Sequence, residues 1–133
     1  MKLRYFSIEE AEALLPQIRA IIESGIEVKI LIERKVDEWR KKHKRMKDID
    51  EALIRGQVDF LASQLEEKMG QIADLGGVPK DLDLGLVDFP TRVEGKEAYL
   101  CWRMGEDKIR FWHGLTEGFR GRKPLTHEVN DDD

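Results

Sequence analysis

The sequence predicts an α+β fold: a long antiparallel helical hairpin followed by a small antiparallel β-meander. Three observations carry that reading. Apolar residues recur at helical spacing from Ala11 to Leu75, the spacing then falls to two between Glu97 and His113, and Gly76-Gly77 separates the two regimes.

The first helix opens at Ser7-Ile8-Glu9-Glu10. This is a capping box, in which the serine oxygen accepts the amide of residue 10 and Glu10 reaches back. Phe6 stands where a hydrophobic staple places it, and Glu9, Glu10 and Glu12 suit the positive end of the helix dipole. Three columns of apolar residues follow at intervals of seven: Ala11, Ile18, Gly25, Ile32 and Trp39; Leu14, Ile21 and Val28; Leu15, Ile22 and Val36. Such a face is wider than a two-column coiled-coil seam. Pro16 interrupts it and is expected either to kink the helix or to open a new one.

The second helix takes Asp48 or Asp50 as its cap and shows Leu53, Ile54, Val58, Leu61, Leu65, Met69, Ile72 and Leu75 as its apolar face. Gly76-Gly77 ends it, because glycine accepts the left-handed C-cap conformation. Two helices alone do not cover a three-column face, so a homodimer or larger homo-oligomer through the helices is expected.

In the last third, Ala98, Leu100, Trp102 and Met104 alternate with Tyr99, Cys101 and Arg103. A turn at Gly105 to Lys108 leads into Ile109, Phe111 and His113, which alternate with Arg110 and Trp112. Leu86 to Phe89 reads as a further strand, with Glu94-Gly95 in the turn after it. Both faces of the hairpin carry large residues, so both are expected to be partly covered. The chain reads as one domain over residues 1–133: hairpin at about 7–75, sheet at about 84–114, irregular tail at 115–133.

Composition narrows the function. A net charge of -4 argues against an overall nucleic-acid binder. A charged fraction of 38% fits the ion-pair networks of proteins from hot habitats. One cysteine makes no internal disulfide, and no long apolar run is present, so a cytoplasmic protein off the membrane is expected.

Lys80-Asp81-Leu82, Gly85 to Pro90, Tyr99 to Glu106, Trp112-His113, Gly118 to Arg122 and Pro124-Leu125 resemble one bacterial family, the domain of unknown function numbered twenty-two-oh-three. Phe6 to Ala11 with Leu14-Leu15-Pro16 is similar to that family's opening. The resemblance spans the chain and implies no catalytic residue, cofactor or substrate.

The polar residues of the meander carry the candidate chemistry. Asp88 sits in an apolar run and needs a partner; Arg103 on the neighbouring strand is the expected one. A sharper reading has Asp88, Arg103, Glu106 and His113 converge, with Arg120 and Arg122 of the glycine-flanked basic loop supplying cations for a small anionic ligand, with or without catalysis. Metal-ligand spacing is missing: Cys101 has no second cysteine, His43, His113 and His127 are scattered, and no HExxH occurs. A mixed site of Asp88, Glu106 and His113 stays open, but no metal or cofactor is expected. Cys101 reads as a partly buried, unreactive thiol. Arg40, Lys41, Lys42, Lys44, Arg45 and Lys47 form a basic run that could meet nucleic acid or an acidic partner, or only solvent. The leading expectation is a non-enzymatic homo-oligomeric scaffold with Arg103, His113, Arg120 and Arg122 exposed or semi-exposed. Convergence of the candidate residues on one concave pocket favours the ligand site instead.

Overall fold

A computed structural model describes residues 4–126 and 129–130. Helix α1 (Ile8–Lys42) passes through a 3-10 turn (His43–Arg45) into α2 (Asp48–Asp74), and the two pack antiparallel. Strands β1 (Val78–Asp81), β2 (Leu86–Val93), β3 (Lys96–Arg103), β4 (Phe111–Gly114) and β5 (Lys123–Pro124) form an antiparallel sheet in chain order, with β6 (Val129–Asn130) beside β2. The α+β hairpin-and-meander expectation is therefore borne out. The tail expected to be irregular contains β5, β6 and a 3-10 turn (Phe119–Gly121), pieces too short to show a period. His127 and Asp131 to Asp133 lie outside the described residues.

The capping box forms as read: Glu10 N–H donates to Ser7 Oγ at 3.1 Å, and Ser7 N–H donates to Glu10 Oε1 at 2.9 Å. Helix α1 is continuous through Pro16, whose ring lies on the exposed side, so no new helix begins there. At about 1.5 Å per residue α1 spans roughly 50 Å. Asp48 and Asp50 do not cap α2. Lys47 occupies the cap position without a side-chain bond, and Asp48, Asp50 and Glu51 fill the first turn, where they face the helix dipole instead. The far end is a Schellman motif: Gly77 N–H donates to Ile72 O at 3.1 Å and Gly76 N–H to Ala73 O at 2.9 Å, with Gly76 at φ +100°.

One face of the sheet lies on α1. Val87, Phe89, Leu100 and Trp102 pack with Ala11, Leu15, Ile18 and Ile22, and Phe6 meets Phe89 edge-on at 5.4 Å. The sheet thus covers the hairpin's first half, which the helical pattern alone left for a second subunit. Ile109 belongs to this core, whereas Phe111 and His113 face the other way; the loop before β4 shifts the phase that strict alternation assumed. Pro90 sits inside β2 without harm. Phe6 N–H donates to its carbonyl at 2.7 Å, so that side of Pro90 meets the chain entering α1, beyond the end of β1.

The hairpin's second half is less covered. Ile49, Leu53 and Phe60 of α2 are 75%, 60% and 63% exposed. Trp39 closes the tip by stacking on His43 and donating from Nε1 to Glu51 Oε1 at 3.1 Å.

Candidate functional site

A buried polar constellation lies on the sheet face opposite the helices. The two-residue turn at Glu94-Gly95, both with positive φ, sets Val93 against Lys96. That register carries down the ladder to place Asp88 directly across from Cys101. Strand β4 adds His113 opposite Tyr99. Strand alternation puts the side chains of 88, 99, 101, 111 and 113 on this one face. Asp88, Cys101 and His113 are 2%, 1% and 3% exposed.

His113 is bonded at both ring nitrogens. Nδ1 lies 2.8 Å from Gly114 O and Nε2 lies 2.9 Å from Asp88 Oδ2. A carbonyl only accepts, so Nδ1 carries a hydrogen. The Nε2–Oδ2 contact then holds one further proton, on one partner or the other. Burial pushes the Asp88 carboxyl above its usual range, and the His113 and Lys80 charges pull it partly back. Burial, and then the Asp88 charge, push the Cys101 thiol up to about 11, which matches the unreactive reading. The thiol, a carboxylate oxygen and an imidazole nitrogen all lie within 4.8 Å of one another.

A cavity of about 160 Å³ opens beside these groups and is lined also by Lys80, Tyr99, Leu115, Glu117 and Phe119. The loop Leu115 to Arg122 forms its roof and is latched by charge. Arg122 makes a forked contact with Glu106, at 2.9 and 3.2 Å, and lies between the rings of Phe111 and Phe119. Glu117 accepts from Gly114 N–H at 2.7 Å and from Lys123 Nζ at 2.5 Å.

The residues singled out from sequence therefore divide. Asp88 and His113 meet. Arg103 is not the partner of Asp88: it pairs across from Leu86, two residues along, and its exposed side chain lies over Phe119. Glu106 and Arg122 hold each other as part of the roof. Arg120 is exposed and lines no part of the cavity. His113 is buried rather than presented at the surface, because the roof covers it. Cys101 takes the place that Glu106 held in the mixed-site reading. The basic run Arg40, Lys41, Lys42, Lys44, Arg45 and Lys47 is exposed around the hairpin tip, where Glu38 and Asp50 interleave with it and Asp37 binds Lys41 at 2.9 Å.

The family profile described as "Uncharacterized conserved protein (DUF2203)" matches residues 4–125. The chain belongs to this family. The DUF2203 match takes in both helices and β1 to β5, hence every residue of the constellation and its roof. No curated protein and no solved structure matches the chain. Among the described residues of this DUF2203 chain, no helix is long and apolar enough to cross a membrane.

Proposed function

We propose that the protein is a non-enzymatic interaction module that works as a homodimer, paired through α2. The observation supporting this is a second apolar stripe on that helix. At about 100° per residue, Ile54, Val58, Leu61, Leu65, Met69 and Ile72 share the side that packs on α1. Ile49, Leu53 and Phe60 fall about 120–160° away, on the side that also carries Gly56, and stand in water.

The occupant that fits is a second copy. A two-fold axis crossing α2 between Gly56 and Gln57 sets Leu53 against Phe60 of the partner subunit, and the reverse. A Cβ on Gly56 would meet nothing within 4 Å, so the helices have room to approach there. The same axis brings Lys47 and its basic neighbours toward Glu67 of the partner subunit, which lies on the Phe60 side of α2. That gives the basic run an acidic counterpart within this chain, and its interleaved acids suit nucleic acid poorly. The small-anion reading is less supported, since the exposed Arg103 and Arg120 do not line the cavity and Arg122 is already paired.

Sedimentation at micromolar concentration tests the proposal. The wild type should run at twice the chain mass. Phe60→Glu and Leu53→Glu should be monomeric with an unchanged circular dichroism spectrum, each weakening association by about 2 kcal/mol or more, roughly thirtyfold. Lys47→Glu should weaken the dimer and Glu67→Lys in the same chain should restore it. A monomeric wild type, or a Phe60→Glu variant that stays dimeric, overturns the proposal.

A further inference from the structure

We infer that Asp88, Cys101 and His113 form a three-ligand site for a zinc-class divalent transition ion, with one ligand from each of three adjacent strands and the fourth position open to the roofed cavity. The inference goes beyond self-association and stands without it.

Four features of the site support it. The donor atoms already lie within 4.8 Å of one another, and a tetrahedral zinc ion needs its ligands about 3.4 Å apart, given metal–ligand lengths of about 2.0–2.3 Å. The adjustment is a few tenths of an ångström outward for the Nε2–Oδ2 pair and a closing-in of the thiol, within reach of side-chain rotation. Second, the Gly114 carbonyl fixes the hydrogen on Nδ1, which leaves Nε2 as the lone-pair donor of a neutral ring. A backbone carbonyl behind a ligating histidine is the usual outer support of a metal site. Third, the charges balance. A thiolate and a carboxylate cancel a divalent ion, so the loaded site is neutral in a place too buried for an isolated charge. Fourth, the donor set selects the metal class: sulfur and nitrogen favour zinc, cobalt or copper, whereas magnesium and calcium ask for oxygen.

Binding replaces two protons, one from the thiol and one from the Asp88–His113 contact: the ion enters with two positive charges and two protons leave. Three protein ligands and a cavity leave the fourth position for water or a small donor ligand, the arrangement of an open rather than a closed zinc site.

The test uses the full chain, stripped with a chelator and titrated with cobalt(II) as the probe. One equivalent should bind, with the visible bands of tetrahedral cobalt and a near-ultraviolet thiolate-to-cobalt charge-transfer band. About two protons should be released per ion in weakly buffered solution. Zinc should displace the cobalt. Cys101→Ala, a small change in a buried strand whose folding is checked by circular dichroism, should abolish the charge-transfer band and weaken binding at least tenfold. Phe60→Glu, remote from the site, should bind as the wild type does. No binding by the wild type, binding without the charge-transfer band, or equal affinity in Cys101→Ala overturns the inference.

Discussion

Replacing His113 with Leu should be far more damaging than replacing both His113 and Asp88. In the single variant the Asp88 carboxyl keeps its burial and loses its Nε2 partner at 2.9 Å. The thiol of Cys101 is a weak substitute donor. Breaking a buried pair from one side costs about 3–5 kcal/mol, and at roughly 3–5 °C per kcal/mol for a chain of this size the melting temperature should fall on the order of 10–20 °C. The pH dependence follows from the direction of the Asp88 shift. Its folded-state pKa lies above the unfolded value because of burial, and removing His113 removes the largest opposing influence. A raised carboxyl destabilises the fold above its folded pKa, and that cost fades as pH falls through the folded pKa toward the unfolded one. The deficit of His113→Leu should therefore narrow on acidification from neutral pH. In Asp88→Leu/His113→Leu no charge is stranded, and the adjacent cavity accepts the added volume. Its stability should return to within about 1 kcal/mol of wild type. Urea unfolding of chelator-treated protein at fixed concentration, followed by circular dichroism at several pH values, measures all three. A double variant as unstable as the single one, or a single-variant deficit indifferent to pH, refutes the reasoning.

Two further outcomes test the fold and the roof. Gly76→Ala places a Cβ 2.5 Å from the Phe6 ring at φ +100° and should cost about 2–4 kcal/mol, while Gly70→Ala, which meets nothing within 4 Å, should gain about 0.5–1 kcal/mol; urea midpoints decide, and equal effects would contradict the Schellman assignment. Cys101 in the native protein should react with a disulfide reagent at mildly alkaline pH only on the timescale of opening, and Arg122→Ala should speed labelling about tenfold, since a charged hydrogen bond is worth about 1.5–3 kcal/mol; labelling at the rate of a free thiol in the wild type would count against a closed roof.

Much of the fold was legible because the hydrophobic period changes where the structure does. Ser7 with Glu10, and Gly76-Gly77, marked helix boundaries through local hydrogen bonds, which sequence spacing records. The cap of α2 was misread because Asp48 and Asp50 are as useful in a first turn as at a cap. The short strands β1, β5 and β6 are held by pairing and have no period of their own. The site divides along the same line. Had Glu94-Gly95 been taken strictly as a two-residue turn, counting outward would have set Asp88 opposite Cys101, so that half was in the sequence. The place of His113 was not, because seven loop residues separate β3 from β4 and leave the register free. Arg103 was a reasonable partner for Asp88 on charge alone; the register decides against it by two residues.

The two faces of the sheet are covered by different means. Seven of the eight residues of β2, all but Arg92, are buried, so neither face is solvated. Helix α1 covers one face with apolar side chains, and an apolar face needs no orientation to be stable. A short glycine-containing loop covers the other and cannot supply comparable apolar mass. It is therefore held by directed contacts: Arg122 to Glu106, Glu117 to Gly114 and Lys123, and Asp88 to His113 beneath. Such contacts are stable only while both partners are present, so the roof is the part of the fold most sensitive to what occupies the cavity. The stripe on α2 shares no residue with that network. Occupancy of the cavity should accordingly alter the protection of residues 115–122 from hydrogen exchange and leave the association of α2 unchanged.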